Sequence, residues 1–278
     1  MSAWRATAFV PGLPHLLAAD PAPAWKRLAD AMRSLGEELR ALGVETLVLV
    51  STQWFSVLGV QVQARAELQG MRVDENWYRY DFGTIGYRMK SDVAVAERWL
   101  AELQREGFQA RSTSHADFPV DTGVVVASRL LDPDSRFSIA QVSLNLYGDA
   151  EAVERLGRSA TRAVEALGRP SALVAIGGLS AHPLRTWIEP RQDAIASAAD
   201  EAANQRVLEL LRDGDAESLF HEREALSREA AMDGQLRTLS FLHGGAGLVR
   251  PARVHAEGAV WGMGAAVVSW PAAGTNEH

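Results

Sequence analysis

The stretch that most constrains this chain is Val44–Trp54. Leu47, Val48, Leu49 and Val50 form an unbroken apolar run, and Ser51-Thr52-Gln53-Trp54 follows at once. A strand open to solvent on one face alternates apolar and polar side chains, whereas a strand covered on both faces does not. The run therefore predicts a central strand with helices on either side. Ligands of open α/β sheets gather beyond the carboxyl ends of such strands. That places Gln53 where chemistry is expected, although its neutral amide is neither acid nor base.

The rest of the sequence supplies the layers such a strand needs. Ala6–Val10 predicts a first strand, stopped by Pro11-Gly12-Leu13-Pro14-His15. Pro21 and Pro23 lead into a helix with Trp25, Leu28, Met32, Leu35, Leu39 and Leu42 on one face, ended by Gly43. Val57–Ala64 alternates and predicts a half-exposed strand. An acidic and aromatic loop, Val73–Tyr78, follows, with Tyr80 close behind. Ser91 is the expected N-cap of a helix reaching Glu106 and closed by Gly107. Phe118–Gly123 forms a turn before a short apolar helix.

Phe137–Leu144 and Ala172–Ile176 predict two more buried strands, separated by an amphipathic helix near Ala150–Leu167. Gly177-Gly178-Leu179-Ser180-Ala181-His182 is then a loop. Ala194–Arg212 and Arg228–Leu242 predict long helices, and Ala265–Trp270 a final strand. No repeat, low-complexity tract or linker divides the chain. The expectation is one three-layer α/β/α domain over residues 1–278, a mixed sheet flanked by helices, with a disordered tail from about residue 271.

Charge and composition narrow the function classes. A net charge of −7 with no basic run argues against nucleic acid or an anionic membrane as partner. Cysteine is absent, which excludes disulfides, thiolate ligands and a cysteine nucleophile. No apolar run approaches membrane-spanning length, and the first ten residues lack a signal peptide's apolar region. A cytoplasmic protein is the expectation. Lys26 and Lys90 are the only lysines, and neither lies in a phosphate-loop motif.

Among the seven histidines, His15 and His182 follow strands and are the candidates for a site. His243 lies near a helix end and His278 is the last residue; both read as structural or solvated. His115, His221 and His255 complete the set, and none is spaced from another like a metal-binding pair on one helix. Gly177-Gly178 has no accompanying lysine and reads as close backbone packing rather than a phosphate cradle. Asp121-Thr122-Gly123 is either a substrate-positioning element or a turn. Asp233 is expected inside a helix, on a solvated face or turned inward; the sequence leaves both open.

Taken together, Val10–His15, Val50–Trp54, Asp74–Tyr78, Phe118–Gly123, Gly177–Ser180, Glu229–Gly234 and the last strand resemble the class III extradiol ring-cleavage dioxygenases. The resemblance runs along nearly the whole chain. It implies a facial triad of two histidines and a glutamate on Fe(II), with open positions for a bidentate aromatic and dioxygen, and a proton-shuttling histidine. Carried over residue by residue, the two histidine positions fall on Gly12 and Gln53, the carboxylate on Asp233 and the shuttle on Ala181. All four depart from the catalytic pattern.

Within the family, such loss resembles the alpha-type, non-catalytic subunits found among the 2-aminophenol-cleaving members. That implies no cofactor in this chain and Fe(II) in a homologous catalytic beta-type subunit. The two would form a hetero-oligomer of heterotetramer type, acting on 2-aminophenol-like or catechol-like aromatics. The Asp74–Phe82 loop is the candidate interface. Two alternatives stand beside this reading. One is a stand-alone metalloenzyme with a displaced site of His15, His182 and Asp233; the other is a metal-free aromatic-binding protein with a residual pocket of His15, Gln53, Asp121, His182 and Asp233.

Overall fold

The computed structural model describes residues 3–73 and 84–271. In chain order the elements are β1 (Trp4–Val10), α1 (Pro23–Ala41), β2 (Thr46–Ser56), β3 (Val60–Gln63), β4 (Glu67–Arg72) and β5 (Ile85–Ser91). Then come α2 (Val93–Arg105), β6 (Ala110–Thr113), α3 (Thr122–Leu131), β7 (Ser138–Asn145), α4 (Ala150–Leu167) and β8 (Ser171–Ile176). The chain continues through α5 (Ala198–Asp213), α6 (Ala216–Ala230), α7 (Arg237–Ala246), β9 (Arg253–Val260) and β10 (Met263–Pro271). Among the described residues no helix is long and apolar enough to cross a membrane.

The strands make one mixed sheet in the order β4-β5-β7-β2-β8-β1-β10-β9, with β3 attached to β7 and β6 to β3. The inner neighbours β5, β7, β2, β8 and β1 pair in parallel, while β10 runs antiparallel to both β1 and β9. This is the α/β architecture expected from the apolar run. Val48 and Val50 pack into a core with α2, α4, α5, α6 and α7 on one face. Leu47 and Leu49 pack into a second core with α1 and α3 on the other. Each fully buried aliphatic side chain contributes roughly 1.5–3 kcal/mol, so β2 stabilises both layers at once.

Local sequence explains the helix ends. Asp149 caps α4 by accepting from the Ala152 amide, and Gly168 ends it in the left-handed region at φ 60°. Asp92, rather than Ser91, caps α2, because Ser91 is the last residue of β5. The helix expected from Ala194 starts at Ala198, where the Ser197 hydroxyl accepts from the Asp200 amide. The half-exposed strand expected over Val57–Ala64 is shorter and largely buried, since β6 and β7 cover it.

The largest departure concerns the helix expected over Arg228–Leu242. It is broken: α6 stops at Ala230 and α7 starts at Arg237. Between them Gly234, Gln235 and Leu236 have φ of 53°, 59° and 54°. Asp233 therefore sits in a tight left-handed segment and not inside a helix. Non-glycine residues in that region cost about 1–2 kcal/mol each, which packing around the segment must offset. The Asp74–Phe82 loop and the tail from residue 272 lie outside the described residues.

Candidate active site at the carboxyl ends of the central strands

Val10 and Ser51 both register with Ile176, so β1 and β8 end beside Ser51 of β2, which runs on to Ser56. Two loops leave this point, Pro11-Gly12-Leu13 and Gly177-Gly178, beside Thr52-Gln53 of β2. The pairing of β2 with β7 is interrupted between Val50 and Phe55, which frees Thr52 and Gln53 from that neighbour. The left-handed segment around Asp233 is held over the loops by the Asp233 amide, which donates to the Leu179 carbonyl (2.7 Å). Together these elements enclose a cleft of about 190 Å³ lined by Gly12, Gln53, Ala181 and Asp233, among others. All four positions carried over from the sequence resemblance meet in one place.

Their side chains are already committed. Asp233 Oδ2 accepts from the Thr52 hydroxyl (2.8 Å) and the Gly178 amide (2.7 Å). Burial pushes the Asp233 carboxyl above its ordinary value, and these hydrogen bonds oppose the rise. Gln53 is exposed at the rim, and its amide Nε2 donates to the Gly12 carbonyl (3.1 Å). Gly12 has no room for a side chain. A Cβ there would lie 2.6 Å from Gly123 Cα and 2.6 Å from Ile176 Cγ2. The resemblance put a histidine position where two backbones now nearly touch.

Asp121 stands behind the cleft rather than in its lining. It caps α3 and accepts from Ser51 Oγ (2.8 Å), the Val124 amide (3.1 Å) and Gln141 Nε2 (2.5 Å). Burial raises its pKa as well. Asp121 thereby ties the ends of β2, β7 and α3 into one frame.

Neither His15 nor His182 lines the cleft. His15 lies edge-on to Trp25 (centroids 5.0 Å apart) and stacks on Trp261 (6.3 Å), and burial lowers its pKa to about 4. His182 Nδ1 is 2.8 Å from Asp200 Oδ1. His15, His182 and Asp233 are thus not assembled into one displaced site. Among the described residues no group of three or more histidine, aspartate or glutamate side chains is placed to hold a metal ion.

Several supporting residues escaped sequence reasoning. Thr52 and Gly178 hold Asp233. Asn204 exchanges hydrogen bonds with the Ser180 amide (2.8 Å) and hydroxyl (3.0 Å), fixing the loop that carries Ala181. A signal for Asn204 existed: it is a polar residue on the α5 face that buries Val207, Leu208 and Leu211.

Comparison with known proteins now decides the family. The family described as the catalytic LigB subunit of aromatic ring-opening dioxygenase matches residues 7–260. The chain belongs to the LigB family. It is 34% identical over 265 residues to a 2-aminophenol 1,6-dioxygenase alpha subunit from Pseudomonas sp., spanning 94% of this chain and 96% of the relative. The beta subunit of that name, also from Pseudomonas sp., is 23% identical over 94% of this chain and 91% of the relative. A 3,4-dihydroxyphenylacetate 2,3-dioxygenase from Escherichia coli is 20% identical over 66% of this chain and 67% of the relative. Among solved structures, an uncharacterized Escherichia coli K12 protein superposes with a TM-score of 0.67 at 18% identity, covering 95% of this chain and 99% of that one. That likeness bears on the fold alone.

Membership in this LigB family of ring-opening dioxygenases makes the chain oxidoreductase-type. The cleft, however, does not fit the two-histidine, one-carboxylate iron site that the resemblance implied. It offers no imidazole, an amide already donating to a carbonyl, and a carboxylate oxygen already accepting two hydrogen bonds. Iron of that kind takes imidazole and carboxylate ligands around open positions.

Proposed function

We propose that this chain is the non-catalytic, alpha-type subunit of a hetero-oligomeric extradiol dioxygenase. Its partner is a homologous beta-type subunit that carries Fe(II) and cleaves 2-aminophenol-like or catechol-like rings. One observation carries the reading: the four positions that the resemblance assigns to the iron ligands and the proton carrier line one cleft, and Gly12, Gln53 and Ala181 supply it with neither an imidazole nor a proton carrier. The similarity along 94% of the chain to a relative named as an alpha subunit supports the same role. A fold kept with a dismantled site implies that surfaces, not chemistry, are in use. Stable subunit interfaces bury ~1,200 Å² or more of total surface.

Co-expression with the histidine-bearing sibling tests this. The two chains should copurify at fixed stoichiometry, with iron and ring cleavage confined to the sibling. Mixing them should raise the sibling's activity or stability. A chain that stays alone beside its sibling, or that takes up one iron by itself, refutes the proposal.

A further inference from the structure

The left-handed segment faces more than the cleft. Gln235 and Arg237, with Arg223, Ser227, Arg228 and Asp149, line a second cavity of about 350 Å³. Arg237 is only 9% exposed. Among the described residues its hydrogen-bond partners are uncharged oxygens, the carbonyls of Gly234 (3.0 Å), Gly148 (2.5 Å), Asn145 (3.4 Å) and Leu146 (3.5 Å), and its guanidinium carbon lies 5.8 Å from the centre of the Phe55 ring. Carbonyl dipoles satisfy the donors but leave the charge uncompensated, and a buried charge without a counter-ion is costly.

Burial and the like charge of Arg223 both disfavour the charged form of Arg237. Arg223 donates to Ser240 Oγ (3.2 Å), again an uncharged partner. Arg228, in the last turn of α6, adds a third guanidinium to the lining. Ser227 Oγ is buried there with no hydrogen-bond partner. Two carboxylates also line the cavity, those of Asp149 and Glu224. Asp149 is occupied in capping α4. Three guanidiniums against two carboxylates leave the lining one positive charge in excess, in a chain whose net charge is −7.

We propose that this cavity binds a small organic monocarboxylate. The guanidiniums of Arg223 and Arg228 grip its carboxylate, whose charge offsets that of Arg237, and its carbon skeleton fills the remaining volume. One anionic charge matches the excess, and guanidinium forks match carboxylate geometry. The volume, about 350 Å³, falls at the lower end of small-molecule pockets and exceeds what a bare inorganic ion needs. The anion would also lie toward the positive end of α4.

Calorimetric titration of the full chain with sodium benzoate, at constant ionic strength, tests the assignment, with inorganic phosphate and chloride as the other arms. One benzoate should bind per chain. Arg223→Ala and Arg228→Ala should each weaken it about tenfold or more, as loss of a charged hydrogen bond does. Gln53→Ala, in the other cleft, should leave it unchanged. Circular dichroism checks that each variant is folded, and Arg228 stands on an exposed helix end where truncation spares the core. Absence of saturable benzoate binding overturns the proposal, as does affinity unchanged in both arginine variants. Loss of benzoate binding in Gln53→Ala, with affinity unchanged in both arginine variants, would place the acid in the other cleft and overturn the proposal. Phosphate binding as tightly as benzoate would make this an inorganic anion site and overturn the carboxylate assignment.

Discussion

Gly12→Ala is the smallest perturbation that tests whether the old ligand position is closed. The added Cβ would sit 2.6 Å from Gly123 Cα and 2.6 Å from Ile176 Cγ2. Carbon atoms rest at about 3.5–4.0 Å, so each neighbour must retreat by roughly 0.9 Å or more. Ile176 can yield by a rotamer change, but Gly123 is backbone in the first turn of α3, fixed by the Asp121 cap. Overpacking of this kind costs about 1–3 kcal/mol. For a chain of this size each kcal/mol is roughly 2–4 °C in Tm, so a fall of about 2–12 °C is expected in a thermal melt. Ile176→Ala, which removes the Cγ2, should suppress part of the effect in a double-mutant cycle. The triple variant Gly12→His, Gln53→His, Asp233→Glu should bind Fe(II) poorly for the same reason. A Gly12→Ala protein that melts with its parent would refute the close approach, and with it the claim that the position is closed.

Two pH profiles should run in opposite directions. His15, lowered to about 4 from 6.5 in the fold, stabilises the chain above pH 6.5, and that stability is lost as pH falls toward 4. The loss is about 3 kcal/mol at ~1.4 kcal/mol per unit, and His15→Phe, which keeps the ring, should flatten urea-melt midpoints over that window; parallel profiles would contradict it. Asp233 is raised, so its contribution is fully present below the ordinary carboxylate value and is lost as pH rises through the raised one. Asp233→Asn keeps an acceptor for Thr52 and Gly178, and its stability relative to the parent should grow from pH 4 to 7; a constant difference would show that burial does not govern the group.

The sheet was legible where residues carry their own signal. Four consecutive aliphatics marked β2, and the periodicity and caps of Ala150–Leu167 marked α4 to the residue. The clustering of Gly12, Gln53, Ala181 and Asp233 was reached through family resemblance, since nothing in their local sequence brings them together. The break at 231–236 was invisible because two of its left-handed residues, Gln235 and Leu236, carry side chains that ordinarily favour a helix. Tertiary packing overrode propensity there. β9 escaped because the apolar side of its alternation carries only Val254, Ala256 and Gly258, opposite Arg253, His255 and Glu257, and small residues mark a strand weakly. The closure of position 12 depends on Gly123, more than a hundred residues away, and is a property of the fold alone.

The segment from Asp233 to Arg237 is a partition wall with a different cavity against each end. If a molecule that tilts Arg237 also shifts Asp233 against Thr52 and Gly178, an occupant of the strand-end cleft acts back on the arginines in turn. Thermodynamic linkage makes such influence reciprocal: whatever factor one occupant imposes on the other's affinity is returned unchanged. Held in a strained left-handed path, the wall has few conformations available, so coupling would take the form of a discrete shift and not a graded drift.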